Sequence, residues 1–389
     1  MSLVKPLFVA SIASLTLMMT SISATINLLQ QMGILPTLGT CCNCSSPTGG
    51  YKSEGLYNYF RCSNCKKKQS LLQNTVLSNS NTTLHDFVLL MYHFCNSHRT
   101  YNTVAKETFL PQEGYKETHL SRNTINKWFS YFRLLCMRAQ KKVLNKIGGE
   151  GDIVEMDETM CGKCKYGLGD SRKRRRQWLF GGISRLTGRF FMCLCPDNKR
   201  TRKALWPIIQ ANVAPATMLF TDGWRAYRRL PELGYGHRWV DHSKHYVDPT
   251  DKNLHTNRIE GFWNKFKRWL PQAGNYNLEE YVYLFMWMEE QKLMGNDPFW
   301  ALVALVVEDN NVETLKEASK RQEKTDTEVV YDEEDSDEED DMNNDDDEEE
   351  EDVEDLDLEK FHFFDCTGCK AIFREKADLL HHVTNCDTL

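Results

Sequence analysis

Ile153-Val154-Glu155-Met156-Asp157 and Thr217-Met218-Leu219-Phe220-Thr221-Asp222-Gly223 are the two stretches on which the fold turns. Each is a short apolar run that stops at an aspartate, the pattern of a buried strand delivering an acid to the lip of a sheet. Working outward, Gln177-Trp178-Leu179-Phe180-Gly181-Gly182-Ile183 and Arg189-Phe190-Phe191-Met192-Cys193-Leu194-Cys195 read as two more strands. Helices are expected from Thr201 to about Asn212 and from Asn257 to Trp269. Strands first, then strand and helix in alternation, predict an α/β domain over residues 148–300, with a mixed sheet and flanking helices. Gly148-Gly149-Glu150-Gly151 breaks the preceding helix and opens this domain.

The carboxylates set the chemistry. Glu260 lies on the second helix, whose apolar face is Ile259, Phe262, Trp263 and Phe266, so it can lean over the lip where Asp157 and Asp222 end. Three carboxylates in one place repel unless cations sit between them, and magnesium or manganese suits oxygen ligands. Two such ions roughly 3.5–4 Å apart can clamp the attacking and leaving oxygens of a phosphodiester. Basic groups flank each acid: Arg172, Lys173, Arg174, Arg175 and Arg176 between the first two strands, Arg225, Arg228 and Arg229 after Asp222, and Lys265, Lys267 and Arg268 after Glu260. Such surroundings fit a nucleic-acid backbone better than a small metabolite. An aspartate at a strand end is also an ordinary turn former, and the Arg172–Arg176 run also reads as a solvated loop or a nuclear-import signal.

The net charge of −7 conceals a segregation. Asp332 to Glu359 holds 21 acids and no Lys or Arg, so the rest of the chain sets 48 basic residues against 34 acidic ones. A basic body suits a polyanionic partner. The acidic tract, within a linker spanning 301–361, is expected to be disordered. It can mimic DNA and shield the basic body, bind a basic protein partner, or serve as a solubilising linker.

Fourteen cysteines would suggest disulfides in a small secreted chain, but seven here fall at metal-ligand spacings, which points to a reducing compartment. Residues 1–40 form an apolar leader that resembles a secretory signal, yet Ser and Thr interrupt it and Ile26-Asn27-Leu28-Leu29-Gln30-Gln31-Met32 reads as an amphipathic helix. Secretion does not suit zinc thiolates on a DNA-acting chain, and no run reaches the ~20 apolar residues of a membrane span. No membrane association is expected, and in a eukaryotic host the expected location is the nucleus.

Cys41-x2-Cys44, seventeen residues, then Cys62-x2-Cys65 is a zinc-ribbon spacing within residues 41–80, with Cys42 an alternative to Cys41. Four thiolates close a tetrahedron and leave the metal no open position, so the site is structural. Residues 81–147 read as helical, opened by a Thr83 cap. Ser121 would cap a helix presenting Arg122, Asn123, Asn126 and Lys127, as in a helix-turn-helix that reads the major groove. A plain helical bundle fits the same pattern. At the C-terminus, residues 362–389 carry Cys366, Cys369, His382 and Cys386 around Phe373 and Leu379, the spacing of a ββα zinc finger with Cys replacing the last His. Such a finger binds DNA or protein. Cys161, Cys164, Cys193 and Cys195 fit no compact knuckle pair and are read as ordinary strand and loop cysteines.

Asp157-Glu158-Thr159, Gln177 to Ile183, Thr221-Asp222-Gly223-Trp224-Arg225-Ala226-Tyr227 and His255-Thr256-Asn257-Arg258-Ile259-Glu260-Gly261-Phe262-Trp263 together resemble the conserved blocks of Merlin-type DDE transposases and of related bacterial insertion-sequence transposases. The resemblance covers roughly residues 25–295. It implies a ribonuclease-H-like fold and a triad of Asp157, Asp222 and Glu260, the last two separated by 37 residues. Some bacterial relatives use an Asn near the third position, so Asn257 is an alternative ligand, and His255 can also reach the site. The implied activity is magnesium- or manganese-dependent cutting of double-stranded DNA at terminal inverted repeats and joining of 3′ ends to target DNA, by a homodimer or larger assembly. A domesticated DNA-binding or chromatin protein that kept the fold without transposing is the competing expectation. A general nuclease fits the acids but not the four blocks.

Overall fold

The computed structural model describes residues 10–54, 57–96, 101–107, 120–142, 145–161, 177–240, 251–271, 277–327, 364–365 and 372–373. In chain order its elements are α1 (Ile12–Met18), α2 (Ile22–Gln31), β1 (Lys52–Glu54), β2 (Tyr57–Arg61), β3 (Lys68–Ser70), α3 (Leu84–Cys95), α4 (Tyr101–Glu107), α5 (Arg122–Lys142), β4 (Ile153–Cys161), β5 (Gln177–Ser184), β6 (Phe190–Leu194), α6 (Arg202–Asn212), β7 (Met218–Asp222), β8 (Gly236–Val240), α7 (Asn257–Trp269), α8 (Leu278–Leu293), α9 (Pro298–Glu308), α10 (Val312–Thr327), β9 (Phe364–Asp365) and β10 (Ile372–Phe373). The chain divides into two units, one of residues 1–139 with 283–324 and one of residues 140–282 with 325–389.

In the first unit the apolar leader is two helices, each started by a serine. Ser11 accepts from the Ser14 amide and Ser21 from the Ala24 amide, satisfying amides that have no partner inside the helix. Leu15, Met19, Ile26 and Leu29 are buried, while Leu17 and Met18 are exposed. Among the described residues no single helix is long and apolar enough to cross a membrane, and α1 and α2 are bent by 114°. Thr83 caps α3 as its position predicts, accepting from the Asp86 amide at 3.1 Å. Phe87 of α3 packs edge-on against Trp128 of α5 with centroids 4.8 Å apart, and the Trp128 indole donates to Thr82 Oγ1 at 2.8 Å. Helix α5 is described from Arg122 to Lys142.

The second unit is built on a five-stranded sheet of order β6-β5-β4-β7-β8. Strands β6, β5 and β4 run antiparallel, and β7 and β8 are parallel to β4. The four strands expected from sequence are present; β8 is additional. Side chains alternate along β4, so Val154 and Met156 join Phe180, Leu205, Trp206, Ile209 and Leu219 in a core under α6. Glu155 and Asp157 take the opposite face, where α7 packs on β4 and β5. That approach is close because Gly181, the register partner of Asp157, has no side chain. A Cβ there would sit 2.8 Å from the Trp263 ring. At the domain's entrance Gly148 adopts φ +84°, and a Cβ would collide with the Thr217 side chain, so this turn requires glycine.

Strands β4 and β7 pair only from Ile153 with Met218 to Glu155 with Phe220. Beyond that, β4 runs on to Cys161 held by β5 alone, while β7 stops at Asp222. The gap between the two strand ends is the feature the site is built on.

Candidate active site and metal centres

Asp157 and Glu158 lie on β4 just past the last β7 pairing, and Asp222 closes β7. One carboxylate oxygen from each falls within 4.8 Å of the others, a group that could hold a cation. Three acids this close are a poor arrangement without one. Burial first, then the Asp222 and Glu260 charges, push the Asp157 carboxyl up to about 7. Burial first, then Asp222 and Asp157, push Glu158 up to about 8, against opposing effects of Tyr227 and Arg200. Burial and the nearby Glu158 and Asp222 charges hold the Tyr227 phenol far above its ordinary value. Glu158 Oε1, the Tyr227 hydroxyl and the Trp263 indole N–H are buried without a hydrogen bond of ordinary geometry. A buried orphan acceptor beside two more carboxylates fits an oxygen-liganded divalent ion.

Glu260 sits on the first turn of α7 and accepts from Thr256 Oγ1 at 3.0 Å. It is outside the group within 4.8 Å, although its charge is felt by Asp157. Asn257 is exposed at the start of α7. Glu158 is the residue the triad reading passed over. Its place in the Asp157-Glu158-Thr159 block was visible, but strict alternation would send it to the other side of β4. Past the last β4–β7 pairing, both neighbours nonetheless bring an oxygen into one group.

Helix α7 is positioned from the sheet. Its own N-cap, Thr256, makes no side-chain capping bond. Instead the fully buried Glu155 reaches from β4 and accepts from the Arg258 and Ile259 amides at 2.8 and 3.2 Å. Its other oxygen takes Arg185 Nε at 2.6 Å. Arg185 also donates to the His255 carbonyl at 2.8 Å and contacts its ring Nδ1 at 2.9 Å. A buried carboxylate with an arginine and two helix amides is satisfied on both oxygens. His255 is therefore a member of this support.

In the ribbon, Cys41, Cys44, Cys62 and Cys65 bring their sulfurs within 4.8 Å of one another. The Asn43 amide donates to Cys41 Sγ and the Cys65 amide to Cys62 Sγ, both at 3.4 Å. Ser46, through side chain and backbone, pulls the Cys44 thiol down to about 6. The exposed Cys42 stands outside the cluster, its amide bonded to Gln69. Four sulfurs and no open position fit a structural zinc.

Of the residues expected to meet DNA, Arg122, Asn123 and Lys127 are exposed at the start of α5 and Asn126 is half-buried. Ser121 starts that helix by accepting from the Thr124 amide at 3.1 Å. Lys265 is exposed on α7. Arg172, Arg174, Arg175 and Arg176 lie outside the described residues, as do the acidic tract and Cys366, Cys369, His382 and Cys386. Near those last ligands, β9 and β10 pair antiparallel.

Residues 148–290 match the ISXO2-like transposase domain. A 77-residue stretch, 20% of the chain, is 31% identical to an uncharacterized transposase-like protein of Haemophilus influenzae, and the match spans 60% of that relative's length. The matched family region contains all three clustered acids and α7.

Proposed function

We propose, on the premise that the chain carries an ISXO2-like transposase domain over residues 148–290, that it is a DNA transposase of the DDE type. In this reading it cuts at terminal inverted repeats and joins the freed 3′ ends to target DNA. The observation that carries the reading is the meeting of Asp157, Glu158 and Asp222 where β4 and β7 part. The mixed sheet with helices on both faces supports a ribonuclease-H-like core, and the four sequence blocks support a Merlin-type relationship.

Asp157, Glu158 and Asp222 would hold magnesium or manganese, with Glu260 brought over Asp157 by α7 and Asn257 the alternative from the same turn. A divalent ion bound there supplies a nucleophile at neutral pH and offsets charge developing on the phosphate. The chain's own part is positional. Glu155 and Arg185 fix the start of α7, and with it the approach of Glu260. Gly181 lets Trp263 lie against the sheet beside Asp157, which limits water on that side of the cluster. Arg122, Asn123, Asn126 and Lys127 are proposed to contact the repeat, and Lys265 with Arg172, Arg174, Arg175 and Arg176 the backbone near the cleavage site. Zinc in the ribbon, and in a finger at Cys366, Cys369, His382 and Cys386, is proposed to be structural. The working form is proposed to be a dimer or larger, in the nucleus if the host is eukaryotic.

The test is strand cleavage of a duplex bearing the terminal repeat that flanks the chain's own coding sequence, with Mg²⁺ or Mn²⁺. The parent is expected to cut at the repeat boundary. Asp157→Ala, Glu158→Ala and Asp222→Ala are expected to bind the duplex and leave it intact. Tight binding by the parent without cutting or joining in either metal would select a DNA-binding protein that has lost transposition.

A further inference from the structure

Arg200 belongs to no block of the sequence and is given no role above beyond its charge effect on Glu158, yet two aromatic rings hold its guanidinium beside the acids. Its guanidinium lies 3.8 Å from the Trp178 ring centre and 4.9 Å from that of Trp224. The backbone of the first and the ring of the second are themselves tied down. The Trp178 amide donates to Asn198 Oδ1 at 2.7 Å. The Trp224 indole donates to the Arg200 carbonyl at 3.3 Å, and its amide to Asp222 Oδ1 at 3.0 Å. Arg200 is brought there by a turn after β6 in which Asp197 and Asn198 both take positive φ, 51° and 57°. Asp and Asn are the non-glycine residues that most readily adopt the left-handed region, so the turn is built from residues suited to it.

Among the described residues the Arg200 guanidinium has ring contacts and no hydrogen bond or ion pair. An arginine recruited for stability normally satisfies its donors on a carboxylate or carbonyl. One held over two rings, with a carboxylate cluster beside it and no hydrogen-bond partner among the described residues, suits a planar oxyanion ligand. The ring contact with Trp224, two residues beyond Asp222, fixes which anion is within reach: a group bound at the cluster. We propose that Arg200, clamped between Trp178 and Trp224, grips one backbone phosphate of DNA at the carboxylate cluster, beside the bond to be broken. This rests on the reading that the cluster acts on DNA. The stack selects arginine over lysine, because an ammonium has neither the plane to lie between two indoles nor two parallel donors.

The experiment uses the full chain and the terminal-repeat duplex, prepared as a series with single methylphosphonate linkages around the cleavage site. Affinity is read with Ca²⁺, which permits binding without cutting, and cleavage with Mn²⁺. One neutral linkage is expected to weaken the parent roughly ten- to hundredfold, the size of a bidentate charge-assisted contact. At that linkage Arg200→Ala and Arg200→Lys should show no further loss, while the other linkages weaken parent and variants alike. The slope of log affinity against log salt should fall by about one for Arg200→Ala. Arg200→Gln with an unchanged melting temperature guards against a folding defect. Additive losses at every linkage, or Arg200→Lys binding and cutting like the parent, would overturn the proposal. Because affinity is read separately, a parent that binds with this pattern but never cuts leaves the phosphate grip standing and refutes the transposase reading.

Discussion

Glu155 and Asp157 stand two residues apart on one face of β4, and their surroundings put them to opposite uses. Glu155 is wholly buried and fully satisfied by Arg185 and two α7 amides. Asp157 is crowded by other acids and pushed up to about 7. Removing one partner of a buried pair leaves the other charge uncompensated, so Glu155→Ala should cost the second unit about 3–5 kcal/mol in denaturant unfolding. Asp157→Asn should cost little and, without metal, stabilise. The two acids also give a pH signature. Ordinary carboxyls at 3.8 and 4.5 rise to about 7 for Asp157 and about 8 for Glu158. The folded state therefore keeps protons that the unfolded chain has released, and this contribution to stability falls as pH rises from about 4 to about 8. Melting of the metal-free protein should show that decline, flattened in Asp157→Asn with Glu158→Gln. Added Mn²⁺ should raise the melting temperature more near pH 8 than near pH 5. A rise independent of pH would place the metal elsewhere.

Among the elements, α7 was the most legible from sequence. Its apolar residues Ile259, Phe262, Trp263 and Phe266 repeat at helical spacing, and Asn257–Trp269 is the range observed. The Asp222 strand was equally clear, since an apolar run ending in Asp-Gly has few other readings. Strand β8 was not, because Gly236-His237-Arg238-Trp239-Val240 offers one buried valine and a mostly polar, half-exposed run. Its pairing comes from the neighbouring edge of β7, a contact no local pattern encodes. The cap on α7 was hidden for the same reason: Glu155 lies 103 residues from the Arg258 amide it accepts. The ribbon was readable because knuckle spacing is local, and the structure adds the choice of Cys41 over Cys42. Cys62→Ser should therefore release about one zinc per chain and loosen β1–β3, seen as lost metal by elemental analysis and faster amide exchange. Cys42→Ser should leave zinc content unchanged.

At the scale of the molecule, charge is sorted along the chain: 21 acids between Asp332 and Glu359, and a basic excess elsewhere. If the tract competes with DNA for the basic body, deleting residues 332–359 should raise affinity for unrelated duplex, most at low salt. Salt-dependent binding identical to the parent would reduce the tract to a linker. The larger claim is that β4 and β7 part so that acids from both meet over a divalent ion. Its most direct measurement is anomalous X-ray scattering from crystals of the full chain soaked in Mn²⁺. Manganese density is expected between Asp157 and Asp222, within coordination distance of both and of Glu158, and it should vanish in Asp222→Ala. Manganese bound away from these acids, or unmoved by that substitution, would contradict the account.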